Sequence, residues 1–142
     1  MRPVLLLSAL VLSGLVLAGA SVAHSQGRAT SDFPVASEAR IESHGEAVRL
    51  TLTLSRPVAA SAFVMAGPDR VIVDLPSVNF QIPAASARKS AGFVSGFRYG
   101  LFTPDRARLI LDLAQPAAVA HVSVKPIRGG FGELVIELKR TS

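Results

Sequence analysis

Residues 92–102, Gly-Phe-Val-Ser-Gly-Phe-Arg-Tyr-Gly-Leu-Phe, hold the densest set of side chains in this sequence that are able to recognise a ligand. Four of its eight aromatic side chains, Phe93, Phe97, Tyr99 and Phe102, fall here beside Arg98 and three glycines. Read with the period of a strand, Phe93, Phe97, Tyr99 and Leu101 share one face, and Val94, Gly96, Arg98 and Gly100 the other. An arginine on a face thinned by glycine suits recognition, because a ligand backbone comes close where no Cβ intervenes. The same residues also fit a plain core strand with tight-turn glycines, since aromatics mostly pack.

Residues suited to catalysis are sparse. A hydrolytic zinc site needs about three protein ligands and a water. His24, His44 and His121 are the only histidines and show no ligand-like spacing, so each reads as a surface or filler residue and no metal or cofactor is expected. The Ser86-x-x-Lys89 match is set aside by the chain's small size and the absence of partner motifs. Gly129-Gly130-Phe131-Gly132 precedes a strand rather than following one, which is the wrong context for a phosphate loop. Asp74 and Asp112 each end an Ile-x-Asp-Leu run, and they read more simply as cross-strand partners of arginines than as paired catalytic carboxylates. No catalytic residue is assigned.

These candidates depend on strands to position them. Residues 48–55 alternate without a fault: Val48, Leu50, Leu52 and Leu54 face inward, while Arg49, Thr51, Thr53 and Ser55 face water. Arg56-Pro57 ends that strand. A weak strand at 62–65, a turn at 66–69 and a strong strand at 70–76 follow, with Val71, Val73 and Leu75 inward. Residues 77–91 read as a loop whose Val78, Phe80 and Ile82 alternate, so that part of it lies extended along a sheet. Strands at 106–113, 118–124 and 133–139 complete the pattern. Before them come a short strand at 40–42 and a turn at Ser43-His44-Gly45.

The amino-terminal segment has a different character. Arg2 precedes an apolar run from Val4 to Val16, and Ala18-Gly19-Ala20 and Ser21-Val22-Ala23 each fit a cleavage site. Residues 1–23 therefore read as a secretory signal peptide cut between Ala20 and Ala23, and residues 24–38 as a flexible leader. No later stretch is long and apolar enough to span a membrane. The absence of cysteine rules out thiol lipidation and disulfides. Lys and Arg outnumber Asp and Glu 15 to 10, and the charges are interleaved rather than run together. Such a surface favours anionic partners such as wall polymers, whereas export sets nucleic acid aside.

A repeat organises the remainder. Residues 49–57, Arg-Leu-Thr-Leu-Thr-Leu-Ser-Arg-Pro, align with 108–116, Arg-Leu-Ile-Leu-Asp-Leu-Ala-Gln-Pro, and 71–75 align with 134–138. Arg49 and Arg108 are thereby equivalent. A competing register matches 70–75 with 108–113, both Arg-x-Ile-x-Asp-Leu. The expected fold is all-β, a small β-sandwich of two similar sheets built from an internal repeat, with the 92–102 segment opening the second copy.

The order Arg70-Val-Ile-Val-Asp-Leu-Pro76, Gly96-Phe-Arg-Tyr-Gly-Leu-Phe102 and Arg108-Leu-Ile-Leu-Asp-Leu113 resembles the AMIN domain, with the likeness covering about residues 39–140. This family occurs at the amino terminus of periplasmic N-acetylmuramoyl-L-alanine amidases and in some secretion and pilus proteins. The resemblance implies a noncatalytic, periplasmic module that binds peptidoglycan and localises to the cell wall or division site, with cell-division or secretion-system proteins as further partners. Peptidoglycan offers sugars that stack on aromatic faces and carboxylates that fit an arginine fork, which makes Arg49, Arg98, Tyr99 and Arg108 the candidate ligand-binding residues. The amidases continue into a zinc-dependent catalytic domain, and this sequence stops at Ser142. An amino-terminal fragment of such an amidase, or an interaction module of a secretin or pilus assembly, are therefore the alternative readings.

Overall fold

The computed structural model describes residues 32–87 and 89–141; the expected signal peptide and most of the expected leader lie outside them. In chain order the strands are β1 (Val35–His44), β2 (Ala47–Leu54), β3 (Ser61–Met65), β4 (Arg70–Pro76), β5 (Asn79–Phe80), β6 (Val94–Thr103), β7 (Arg106–Leu113), β8 (Ala117–Pro126) and β9 (Gly132–Arg140). A single helical turn, α1 (Ala84–Ala87), interrupts them. The fold is an all-β sandwich, with sheet A ordered β5-β1-β2-β9-β8 and sheet B ordered β3-β4-β7-β6.

Alternation decides which residues meet between the sheets. Val48, Leu50, Leu52 and Leu54 of β2 are buried with Leu134, Ile136 and Leu138 of β9, and they face Val71, Val73, Leu109 and Leu111 of sheet B. Each such aliphatic side chain contributes about 1.5–3 kcal/mol by leaving water. β2 and β7, the most regular strands, occupy central positions in their sheets.

Symmetry relates the two halves. The first copy is β1–β4 and the second β6–β9, yet neither copy forms a sheet by itself. The β1–β2 hairpin pairs through β2 with β9, and the β3–β4 hairpin pairs through β4 with β7. Each sheet is therefore one hairpin from each copy, which is why the two sheets resemble one another. The competing register in the sequence also finds its cause here. β4 and β7 are antiparallel neighbours with Arg70 opposite Asp112 and Asp74 opposite Arg108, so the shared Arg-x-Ile-x-Asp pattern is a reciprocal charge match across one ladder.

Three details differ from the sequence reading. β1 begins at Val35, four residues inside the stretch read as leader, because Ala36 and Ala39 pack into the core and β5 pairs with it in parallel. Residues 77–91 contain β5 and α1 as well as loop. Val94, expected outward with Arg98, is fully buried, because a bulge between Val94 and Gly96 resets the alternation and places it on the same side as Phe97. Sheet A also demands one close approach: a Cβ on Gly132 would lie 2.6 Å from Pro57 Cα, so the start of β9 needs glycine to pass under the β2–β3 connection.

Candidate functional site

The two outer sheet faces carry equivalent positions with different contents. On sheet A, Arg40, Thr51, Val135 and Ser123 stand near one another in one cross-strand row, and Glu42, Arg49, Glu137 and His121 in the next. On sheet B the matching rows are Arg98, Ile110, Ile72 and Phe63, and then Gly100, Arg108, Asp74 and Ser61. Arg98 thus occupies the position that Arg40 holds in the first copy, and Gly96 and Gly100 replace Glu38 and Glu42.

Each face has a central cross-strand ion pair. Arg49 Nη2 donates to Glu137 Oε2 at 3.1 Å, and its counterpart Arg108 Nε donates to Asp74 Oδ1 at 2.8 Å. Around them the faces diverge. On sheet A, Arg40 donates to Glu38 of its own strand at 3.0 Å, and the His44 ring lies 3.3 Å from Glu42, so acidic groups line this strand. On sheet B, three arginines, Arg70, Arg98 and Arg108, stand against two aspartates, Asp74 and Asp112. Arg98 binds Asp112 bidentately, with Nε and Nη2 each 3.2 Å from a carboxylate oxygen.

Apolar surface completes this second face. Ile72 points outward in register with Phe63 and Ile110, and its row neighbours shield it to 2% exposure. The guanidinium of Arg108 lies 3.9 Å from the centroid of the Phe102 ring, a cation–π contact worth about 0.5–1 kcal/mol at an exposed position. Phe102 follows Arg98 and Gly100 in the alternation and faces out beside a second bulge between Leu101 and Thr103, and it is 58% exposed. Neither Gly96 nor Gly100 has a positive φ, and a Cβ on either would meet nothing within 4 Å. The fold does not require glycine at these two positions; their effect is to leave the face open beside the arginines.

β6 is an edge strand of sheet B, so its outer face and its free edge meet water while Val94 and Phe97 stay buried. Tyr99 packs inward, with its ring 4.8 Å from Phe80 and 6.2 Å from Phe97, where β5 of sheet A closes on β6. A depression of about 180 Å³ on the outer face is lined by Arg98, Tyr99, Gly100, Phe102, Arg108 and Ile110. A second, of about 440 Å³, continues round the edge past Phe33, Phe80 and Leu101. At the β6–β7 turn Thr103 Oγ1 donates to Asp105 at 2.6 Å, which with Asp105's own backbone N–H holds that carboxyl below its ordinary range.

Of the residues singled out in the sequence, the structure brings Arg98, Tyr99 and Arg108 to one depression and leaves Arg49 on the opposite face of the sandwich. Asp74 and Asp112 are the arginine partners expected of them. Ile72, Ile110, Phe63 and Phe102 were missed as site residues. The signal was present, because 71–73 and 109–111 are unbroken apolar runs where β2 alternates Leu with Thr. His44 and His121 are exposed, and among the described residues no three His, Asp or Glu come together in a way that could hold a metal ion.

The sequence matches a known domain family. A family model, the AMIN domain, fits residues 38–138, which is most of the chain. The chain belongs to the AMIN domain family. Its AMIN domain is similar to part of the N-acetylmuramoyl-L-alanine amidase AmiC of Escherichia coli O6:H1, at 29% identity over 94 residues, which covers 63% of this chain and 22% of that protein. The amidase AmiC of Neisseria meningitidis serogroup B is likewise 29% identical, over 109 residues, covering 74% of this chain and 26% of that enzyme. The chain thus spans about a quarter of the length of these curated relatives. The AMIN match takes in both repeat copies and both outer faces, and the whole of the Arg98–Arg108 depression falls within it.

Proposed function

We propose that this AMIN domain is a noncatalytic periplasmic module that binds peptidoglycan through the outer face of sheet B and so holds its protein at the cell wall or division site. The observation that carries the reading is the difference between the two faces: beside Arg98 and Arg108 the second copy has glycines where the first has glutamates, with an apolar row and Phe102 alongside. Sugars offer C–H faces to the apolar groups, and stem-peptide carboxylates match the guanidinium forks. Kinship to two N-acetylmuramoyl-L-alanine amidases supports the wall polymer as the ligand.

Pelleting with purified sacculi tests this directly. The full chain is expected to co-sediment at low salt, and Arg98→Ala is expected to reduce the bound fraction. Failure of the wild-type chain to pellet at low salt overturns the reading. The coverage of 22% and 26% of the two amidases supports a second reading, in which the domain is one part of a longer amidase. Sequencing the codons that follow Ser142 decides it, since an amidase frame there supports this reading and its absence removes it.

A further inference from the structure

We infer that Asp112 occupies, in the unbound domain, the place of a ligand carboxylate, and that recognition proceeds by exchanging Asp112 for that carboxylate on the fork of Arg98. This rests on the wall-binding reading and specifies which part of the polymer is read: the free carboxylates of the peptide stems, as opposed to the uncharged sugar backbone.

The two arginines of the depression are held in different ways. Arg108 is only 24% exposed, bonds Asp74 at 2.8 Å and is covered by Phe102, so it is a fixed part of the floor. Arg98 is 62% exposed and Asp112 is 38% exposed. In their two contacts, 3.2 Å each, Arg98 Nε and Nη2 donate to the two carboxylate oxygens of Asp112, the paired hydrogen bonding that a guanidinium offers any carboxylate. An exposed pair of this kind contributes little net stability, so an incoming carboxylate replaces it at small cost.

The first copy shows the same strand with carboxylates of its own beside the arginine. Arg40, the counterpart of Arg98, is bound by Glu38 two residues away on its own strand. Gly96 stands in the place of Glu38, Gly100 in the place of Glu42, and open space lies above both. Thr53 occupies the position equivalent to Asp112. Relative to the first copy, the second therefore lacks two carboxylates on the arginine's own strand and has one across the ladder, on β7, where the first has Thr53.

The test is a titration of the full chain, followed by NMR, with a short D-alanine-terminated peptide and with its carboxy-terminal amide. The Arg98 Nε–H and Gly100 amide signals are expected to move with the free acid and not with the amide. Asp112→Asn is expected to tighten binding of the acid about two- to fivefold, the gain from freeing one exposed ion pair, and Arg98→Ala is expected to abolish that gain. Equal shifts with acid and amide, or none with either, overturn the inference, as does an Asp112→Asn protein of unchanged melting temperature that binds the acid no better. Should Asp112→Asn fail to fold, the acid-against-amide comparison on the wild-type chain decides alone. Pelleting with sacculi stays separate: its failure removes the wall reading and leaves the peptide result standing.

Discussion

The outer faces of the two sheets are copies of one pattern that have come to differ in chemistry. Sheet A presents Glu38, Glu42, Glu133 and Glu137 among Arg40, Arg49, Lys125 and Lys139, a mixed polar surface whose charges satisfy one another. Sheet B keeps the arginines at the Arg40 and Arg49 positions, as Arg98 and Arg108, and exchanges the surrounding glutamates and threonine for glycine and isoleucine. The difference teaches that arginine by itself does not mark the site. What sets Arg98 apart from Arg40 is a strand with no carboxylates of its own, a single partner across the ladder in Asp112, and a flat apolar floor alongside.

The core should be indifferent to this divergence, and that is the largest effect to measure. Leu50→Ala and Leu109→Ala remove equivalent, fully buried side chains and are each expected to cost about 2–5 kcal/mol in denaturant unfolding. Costs differing by more than about 2 kcal/mol would break the equivalence of the two halves.

Making sheet B resemble sheet A sharpens the comparison further. Gly96→Glu with Gly100→Glu introduces side chains into open space, so folding should be retained while binding to sacculi falls at least tenfold, roughly the 1.5–3 kcal/mol of one charge-assisted contact. Retained binding with a normal melting curve would show that the glycines are incidental. Arg98→Ala is expected to lower affinity about tenfold, and Arg40→Ala is expected to leave it within about twofold, since Arg40 lies on the other sheet between Glu38 and Glu42, away from the apolar row. Comparable losses from both variants would mean that both faces bind.

The central pairs predict a smaller, structural difference. Arg108→Ala strands a half-buried Asp74 and uncovers Phe102, and should cost about 1–2 kcal/mol of stability. Arg49→Ala should cost at most about 1 kcal/mol, because Arg49 is 48% exposed. Thermal melts of the two variants side by side check the ranking.

The smallest effect lies at the β6–β7 turn. Asp105 has a carboxyl held below its ordinary value near 3.8 by the Thr103 hydroxyl first and its own backbone N–H second. A group depressed in the folded state stabilises above its unfolded pKa and loses that contribution as pH falls through the folded value. Thr103→Val should therefore raise the Asp105 titration midpoint in NMR and slightly reduce stability at neutral pH, with the difference from wild type vanishing in strong acid. An unmoved midpoint would show that the hydroxyl is not the cause.

Much of the architecture was legible because strand periodicity is a local property. The alternation of residues 48–55 and the match of Arg49 to Arg108 are enough to predict half-buried strands and a duplicated unit, and both are present. The equivalence of Arg40 with Arg98 was not legible, because glycine, phenylalanine and tyrosine replace glutamate, alanine and isoleucine around the shared arginine. The inward turn of Val94 was hidden as well. It depends on a bulge, which adds one residue to a strand and inverts every side chain beyond it.

By itself, the sequence determined the strongly alternating strands, the repeat and the presence of an arginine-aromatic segment, since these follow from neighbours along the chain. Tertiary structure decided which of the candidates belong together. Hairpins exchanged between the copies send Arg49 to one face and Arg108 to the other, while the edge position of β6 lets Arg98 and Tyr99 border one depression from opposite sides of their strand. Partner choice between strands far apart in the chain depends on how two hydrophobic faces cover one another, and no local pattern encodes that.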